Sequence, residues 1–203
     1  IVTGDGPITG EAIITHPDVD KVAFTGGTAT GSRIMELASK QLKKVTLELG
    51  GKSPAIFFND CNLDLAVDWG LFATFAGTGQ VCSAGTRLLV QEGIYEEFMK
   101  RYLAKIQNIK VGSGLEDDVT MGPLVSAQHR AKVENYIATG KQEGAKLVYG
   151  GDRPAHLQAG YFLNPTVFTD VTPNMRIVRE EIFGPVAAIM KFSTDEEAIT
   201  LAN

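Results

Sequence analysis

Apolar and polar positions fall into short blocks whose period switches repeatedly along the chain. KVAFTG (21–26) is an apolar run ending in glycine, the pattern of a buried strand. In GSRIMELASKQL (31–42), Ile34, Met35, Leu37, Ala38 and Leu42 recur at helical spacing, and KKVTLELGG returns to a strand pattern. AIFFND predicts another buried strand, LDLAVDWGLFATFAG (63–77) an apolar helix ended by glycines, and 87–91 a strand. IYEEFMKRYLAKIQNI (94–109) is amphipathic, with Ile94, Phe98, Leu103, Ile106 and Ile109 apolar. SAQHRAKVENYIATGKQEG predicts a polar helix and AKLVYGG the strand after it. The tail adds an extended stretch at GYFLNPTVFTDV, a short turn at REEIF, a strand at PVAAIMKF and a helix in STDEEAITLAN capped by Ser193 or Thr194. Such alternation predicts an α/β fold, a mainly parallel sheet flanked by helices.

The 203 residues provide enough surface to bury a core for one large domain or one and a half ordinary ones. A composition of 44% hydrophobic and 21% charged residues is that of a soluble globular protein. Net charge is −5 without any basic run, which argues against a nucleic-acid partner. No apolar run approaches the roughly 20 residues that span a bilayer, and no signal-peptide pattern opens the chain. A cytoplasmic setting is the expectation. Two cysteines do not make a disulfide framework, and no metal site is expected. The chain opens at Ile1 and stops at Asn203 inside a helical pattern, so the expectation is an excerpt of a longer protein, incomplete at both ends.

Three stretches could carry chemistry. In FTGGTATGSR (24–33), glycines follow a strand and open a helix, whose N-terminus offers N–H groups to a phosphate. The spacing is not GxGxxG, and an ordinary tight βα turn is the alternative. LELGGKSP (47–54) contains GKS but is not a P-loop: Thr46 stands where a glycine is needed, and Pro54 disfavours helix at Ser53. It does offer Glu48, flanked by Leu47 and Leu49, where apolar surroundings would raise a carboxylate toward the range of a general base. The alternative is a strand Glu whose side chain reaches solvent.

The third stretch, FAGTGQVCSAGTR (75–87), holds Cys82 among small residues, whereas an inert buried Cys sits among branched apolar ones. An accessible thiol near backbone N–H groups suits a nucleophile whose thiolate and oxyanion those groups stabilise. No histidine is well placed as its base: His16 lies in a turn, His129 on a polar helix and His156 in a Pro-containing loop. A Cys–His hydrolase is therefore unsupported.

FTGGTATG, LELGGKSP, GQVCSAGTR, MGPLVS, GYFLNPTVF and EEIFGPV, in this order, resemble the aldehyde dehydrogenase superfamily across essentially the whole chain. GQxC and LELGGKSP together are the specific part. The resemblance implies that residues 1–47 are the C-terminal part of a Rossmann-like coenzyme-binding domain and 48–203 most of a catalytic domain. It implies Cys82 as nucleophile and Glu48 as general base. Gly26, Gly27, Thr28 and Gly31 would face the pyrophosphate of NAD or NADP, Leu49 would make a nicotinamide-side backbone contact, and Glu181 and Phe183 would meet the nicotinamide ribose. Trp69, Phe72, Val81 and Ser83 are candidates for the substrate wall, with ordinary packing as the alternative for each.

The implied reaction oxidises an aldehyde to a carboxylic acid through a Cys82 thiohemiacetal and thioester, which water activated by Glu48 hydrolyses. The family commonly has Asn and often Gln where this chain has Gly77 and Thr78, which predicts a less hydrogen-bonded, more mobile loop. The family's oxyanion Asn, adenine-ribose segment and oligomerisation hairpin fall upstream of Ile1, so the piece alone is expected to be inactive and the parent a homodimer or homotetramer. Three rivals remain: a CoA-acylating branch, against which Glu48 argues; a Cys esterase; and a non-catalytic structural use of the fold. The partner expected is a small-molecule aldehyde, with no nucleic acid and no membrane.

Overall fold

Two sheets, one parallel and one mainly parallel, organise the chain. The computed structural model describes all residues, Ile1–Asn203, and divides them into two units, Ile1–Gly50 and Gly51–Asn203. No helix is long and apolar enough to cross a membrane.

In the first unit β1 (Lys21–Gly26) and β2 (Lys44–Leu49) run parallel, with Thr25 opposite Glu48 and Gly26 opposite Leu49. Both strands alternate, and Val22, Phe24, Val45 and Leu47 turn to one side. There they meet Ile14 of α1 (Glu11–Thr15) and Ile34, Leu37 and Ala38 of α2 (Thr28–Ser39). Period two therefore puts Glu48 on the other, exposed face with Lys44 and Thr46, away from the leucines that flank it in sequence. The apolar surroundings anticipated for this carboxylate are absent within its own unit.

Helix α2 begins and ends about one turn earlier than its apolar period predicts. Leu42, expected on its apolar face, instead has φ 55° and points to solvent, because the chain has already turned back toward β2. Helix α1 is five residues long, too short for a helical period to be read from sequence.

The second unit carries β3 (Pro54–Phe57), α3 (Leu63–Phe75), β4 (Arg87–Gln91), α4 (Glu92–Lys105), α5 (Ala127–Gln142), β5 (Lys146–Tyr149), β6 (Thr166–Thr169), α6 (Arg176–Arg179), β7 (Val186–Phe192) and α7 (Asp195–Ala202). Its sheet has the order β3-β4-β7-β6-β5, parallel except for β5, which pairs antiparallel with β6. This is the mainly parallel, helix-flanked sheet that the pattern predicts.

Successive residues of the central strands serve opposite layers. Leu88, Val90, Ala187 and Ile189 pack with Val67, Phe98 and Tyr102 of α3 and α4. Leu89, Ala188, Met190 and Phe192 pack with Val133, Ile137, Ile177 and Ala198 of α5, α6 and α7. A strand buried on both faces must be apolar at every position, which is why LLV (88–90) and VAAIM (186–190) read as unbroken runs. Burying each Leu or Val contributes about 1.5–3 kcal/mol. Polar caps start α3, α5 and α7: Asn62 accepts from the Asp64 and Leu65 N–H groups, Ser126 from His129 and Thr194 from Glu197.

One consequence of this order positions the chemistry. Because β3, β4 and β7 are parallel neighbours, the segments that precede them (51–53, 80–86 and 180–185) lie side by side at the amino edge of the sheet.

Candidate active site

After Phe75 the chain leaves α3 through three successive left-handed residues, Gly77 (φ 57°), Thr78 (φ 62°) and Gly79 (φ 67°). Glycine adopts this conformation freely, whereas Thr78 needs an outside hold and has one: its Oγ1 donates to the Gly122 carbonyl at 3.2 Å. Gln80 continues the fastening. Its Oε1 accepts from Val125 N–H at 3.0 Å and its Nε2 donates to the carbonyls of Pro123 (3.4 Å) and Gly77 (3.5 Å). At Gly85 the N–H donates to the Ala73 carbonyl at 3.0 Å. The loop is thus tied at three residues, Thr78, Gln80 and Gly85, although Gly77 carries no side chain.

Cys82 stands at the tip of this loop with its thiol exposed. Gly79, three residues before it, lies so close to the backbone of Gly184 that an added Cβ would sit 2.3 Å from that carbonyl oxygen. The Cys82 loop and the EEIFGPV segment therefore touch backbone to backbone, as the neighbouring β4 and β7 require.

On that second segment, Glu180 and Glu181 have different neighbours. Glu180 accepts from Arg176 (2.8 Å) and from the Tyr136 hydroxyl (2.8 Å), which together hold its carboxyl down at about 2. Glu181, half-buried, bears instead on Lys52, whose ammonium is buried without a hydrogen-bond partner. Burial first, and the positive charge of Arg87 second, lower the Lys52 amine to about 7, against the opposing pull of Glu181. Arg87 itself is spent on carbonyls, donating to those of Lys52, Leu201 and Ala202. Phe183 is left-handed at φ 60°, and its carbonyl accepts from His129 Nε2–H at 2.6 Å.

In the first unit the proposed coenzyme residues come together. Gly26 ends β1, Gly27 precedes α2 and Thr28 is its first residue. No side chain caps α2, so its first-turn N–H groups are open to an anion. Gly31 is buried where a Cβ would meet Leu49 Cδ2 at 2.7 Å, which lets α2 lie directly on the end of β2. Beside this turn opens an apolar cleft of about 780 Å3, walled by Pro7, Ile13, Val22, Phe24, Ala29 and Ile34, with Arg33 and Glu11 paired at 2.9 Å on its rim. Val22, Phe24, Ala29, Arg33 and Ile34 fall in the strand, glycine turn and helix legible in sequence, whereas Pro7, Glu11 and Ile13 lie ahead of them with no signal beyond the pair Gly6–Pro7.

The substrate-wall candidates lie on α3 (Trp69 and Phe72) and on the loop that follows it (Val81 and Ser83). Trp69 and Phe72 are 62% and 61% exposed and meet edge to face at 5.4 Å on α3. Phe72, with Phe75, Ala76 and Gly77, lines a hollow of about 360 Å3 beside the loop. Trp69, Val81 and Ser83 do not line it.

The profile described as the aldehyde dehydrogenase family matches residues 1–203. An aminoaldehyde dehydrogenase 2, peroxisomal, of Pisum sativum is 51% identical over 203 residues, covering all of this chain and 40% of the relative. A chloroplastic betaine aldehyde dehydrogenase of Atriplex hortensis is 50% identical over 203 residues, again covering all of this chain and 40% of the relative. The chain thus spans 40% of the length of these relatives. Among solved structures, betaine aldehyde dehydrogenase from Staphylococcus aureus in complex with NAD+ superimposes with a TM-score of 0.98 at 45% identity, over all of this chain and 40% of that one.

Proposed function

The chain belongs to the aldehyde dehydrogenase family, and from that premise we propose that the full-length protein oxidises an aldehyde to a carboxylic acid with NAD+ or NADP+, using Cys82 as nucleophile and Glu48 as base. The observation that carries this reading is Cys82: an exposed thiol on a loop fastened through Thr78, Gln80 and Gly85, in backbone contact with the segment of Glu181 and Phe183.

The coenzyme fits this chain's residues. The uncapped first turn of α2 suits a pyrophosphate, and the apolar cleft beside it suits a flat adenine ring. Glu181 and Phe183 would take the nicotinamide ribose. In the first half of the reaction the Cys82 thiolate adds to the aldehyde carbon, and the carbonyl electron pair becomes an oxyanion facing the Cys82 N–H. A bound coenzyme would supply the hydride acceptor, so that collapse of this oxyanion with loss of hydride would leave a thioester on Cys82. In the second half Glu48 takes a proton from water, whose oxygen adds to the thioester carbon. The C–S bond then breaks, returning the thiolate and releasing the carboxylic acid.

The names of the relatives support an amino- or betaine-type aldehyde as substrate, and the NAD+ complex supports NAD+. Their peroxisomal and chloroplastic names extend the expected cytoplasmic setting to an organelle interior. In the full-length protein Cys82→Ala is expected to abolish aldehyde oxidation, while Glu48→Gln gives one rapid burst of reduced coenzyme and then slow turnover. Stopped-flow absorbance with a panel of aldehydes, NAD+ and NADP+ checks both, and normal turnover in Cys82→Ala would refute the mechanism. The 203-residue piece assayed alone is expected to show no turnover.

A further inference from the structure

Phe183 is a bulky residue held at φ 60°, a conformation that disfavours any side chain other than glycine by roughly 1–2 kcal/mol and persists only where its surroundings impose it. Those surroundings come from one face of α5. His129 and Val133 are four residues apart and so lie one above the other on that helix. Val133 packs under the next peptide, where a Cβ on Gly184 would meet its Cγ2 at 2.7 Å. His129 Nε2–H donates to the Phe183 carbonyl at 2.6 Å, and the two rings meet edge to face at 5.9 Å. A carbonyl can only accept, which fixes the proton on Nε2.

The backbone of His129 is itself anchored. Its N–H donates to the capping Ser126 hydroxyl at 3.1 Å, and the preceding segment carries the Gly122, Pro123 and Val125 groups that fasten Thr78 and Gln80 of the nucleophile loop. One short stretch, 122–129, thus grips the Cys82 loop with its first half and the Phe183 peptide with its last residue.

We propose that His129 is a positioning residue: it holds the Phe183 peptide in its left-handed conformation and so sets the ledge for the nicotinamide-ribose end of the coenzyme in register with the Cys82 loop. This rests on the reading of Phe183 as a coenzyme contact. No proton leaves or reaches His129 in the reaction, so its contribution lies in geometry alone.

The test uses the full-length protein and measures NAD+ affinity by titration calorimetry, apart from turnover. His129→Leu is expected to weaken NAD+ binding roughly tenfold, the worth of one well-formed hydrogen bond, and to raise the KM for NAD+ with little change in kcat. His129→Gln, which keeps an N–H donor of similar reach, is expected to restore binding; His129→Asn, which is too short, is not. Melting temperatures serve as the control for a merely structural role. Should His129→Leu fail to fold, the Gln and Asn pair decides: equal NAD+ affinity in the two overturns the proposal. Phe183→Ala separates the two possible failures. If it weakens NAD+ binding while the His129 variants bind like wild type, the role of His129 is refuted and the coenzyme contact stands. If Phe183→Ala also binds like wild type, the coenzyme reading of Phe183 itself falls.

Discussion

Replacing Gly79 by Ala tests whether the Cys82 loop and the 183–185 segment meet in solution as closely as they do here. Two penalties apply. The first is conformational: at φ 67° an alanine is strained by about 1–2 kcal/mol relative to glycine. The second is steric, because the new Cβ would stand 2.3 Å from the Gly184 oxygen, 2.5 Å from its carbonyl carbon and 3.0 Å from Pro185 N. All three are backbone atoms in a packed edge, so the two segments must separate by about 1 Å to regain ordinary contact. Gly77→Ala supplies the control. It carries the same strain, at φ 57°, but its only close neighbour is Val81 Cγ2 at 3.3 Å, a side chain that can yield. Gly77→Ala is expected to lose about 1 kcal/mol and Gly79→Ala about 3 kcal/mol or more. Equilibrium urea unfolding, compared at a common m value, measures the difference. Equal losses in the two variants would refute the close approach of Gly79 to Gly184.

Two further predictions concern stability. Lys52 has its amine lowered from the usual 10.5 to about 7 by burial and by Arg87, so between these values the unfolded chain binds more protons than the folded one and stability must rise with pH. The rise approaches about 1.4 kcal/mol per pH unit; Lys52→Met is expected to abolish it in urea midpoints taken from about pH 7 to pH 9, and parallel curves would contradict the burial of this ammonium. Asn62→Ala removes the side chain that accepts from the Asp64 and Leu65 N–H groups at the start of α3, which should lower the stability of the second unit by about 1 kcal/mol, with Asn62→Asp close to wild type in the same titration.

Where a segment's own period decides its structure, the sequence is a reliable guide. Within RLLVQ and VAAIMKF, residues 88–90 and 186–190 are apolar at successive positions because both of their faces are buried, and both segments are strands at the expected residues. LDLAVDWGLFATF is helical because nothing within it breaks the period before Gly77. Glu48 shows the limit: its flanking leucines suggest apolar surroundings, yet a strand sends neighbours to opposite faces, and only the side on which α2 packs tells which face is covered. Leu42 fits a helical period that the chain leaves three residues earlier.

In the candidate site, Cys82 is legible because a thiol among small residues is chemically unusual. The fastening of its loop is not. Thr78 and Gln80 find partners more than forty residues away, and His129 reaches Phe183 across fifty-four. Contacts of that separation leave no trace in local periodicity; they follow from the order of the sheet, which sets β4 beside β7.

The pairing of β1 with β2 places Thr25 opposite Glu48 and Gly26 opposite Leu49. If the turn after Gly26 receives the coenzyme phosphates and Glu48 draws the proton from water, two steps of the cycle hang on one pair of hydrogen-bonded strand ends. Coenzyme affinity and thioester hydrolysis then cannot be tuned separately by changes beneath them. A substitution at Ile34 or Leu37 that tilts α2 would shift both rate and affinity together, and selection for a new coenzyme would carry a correlated change in turnover.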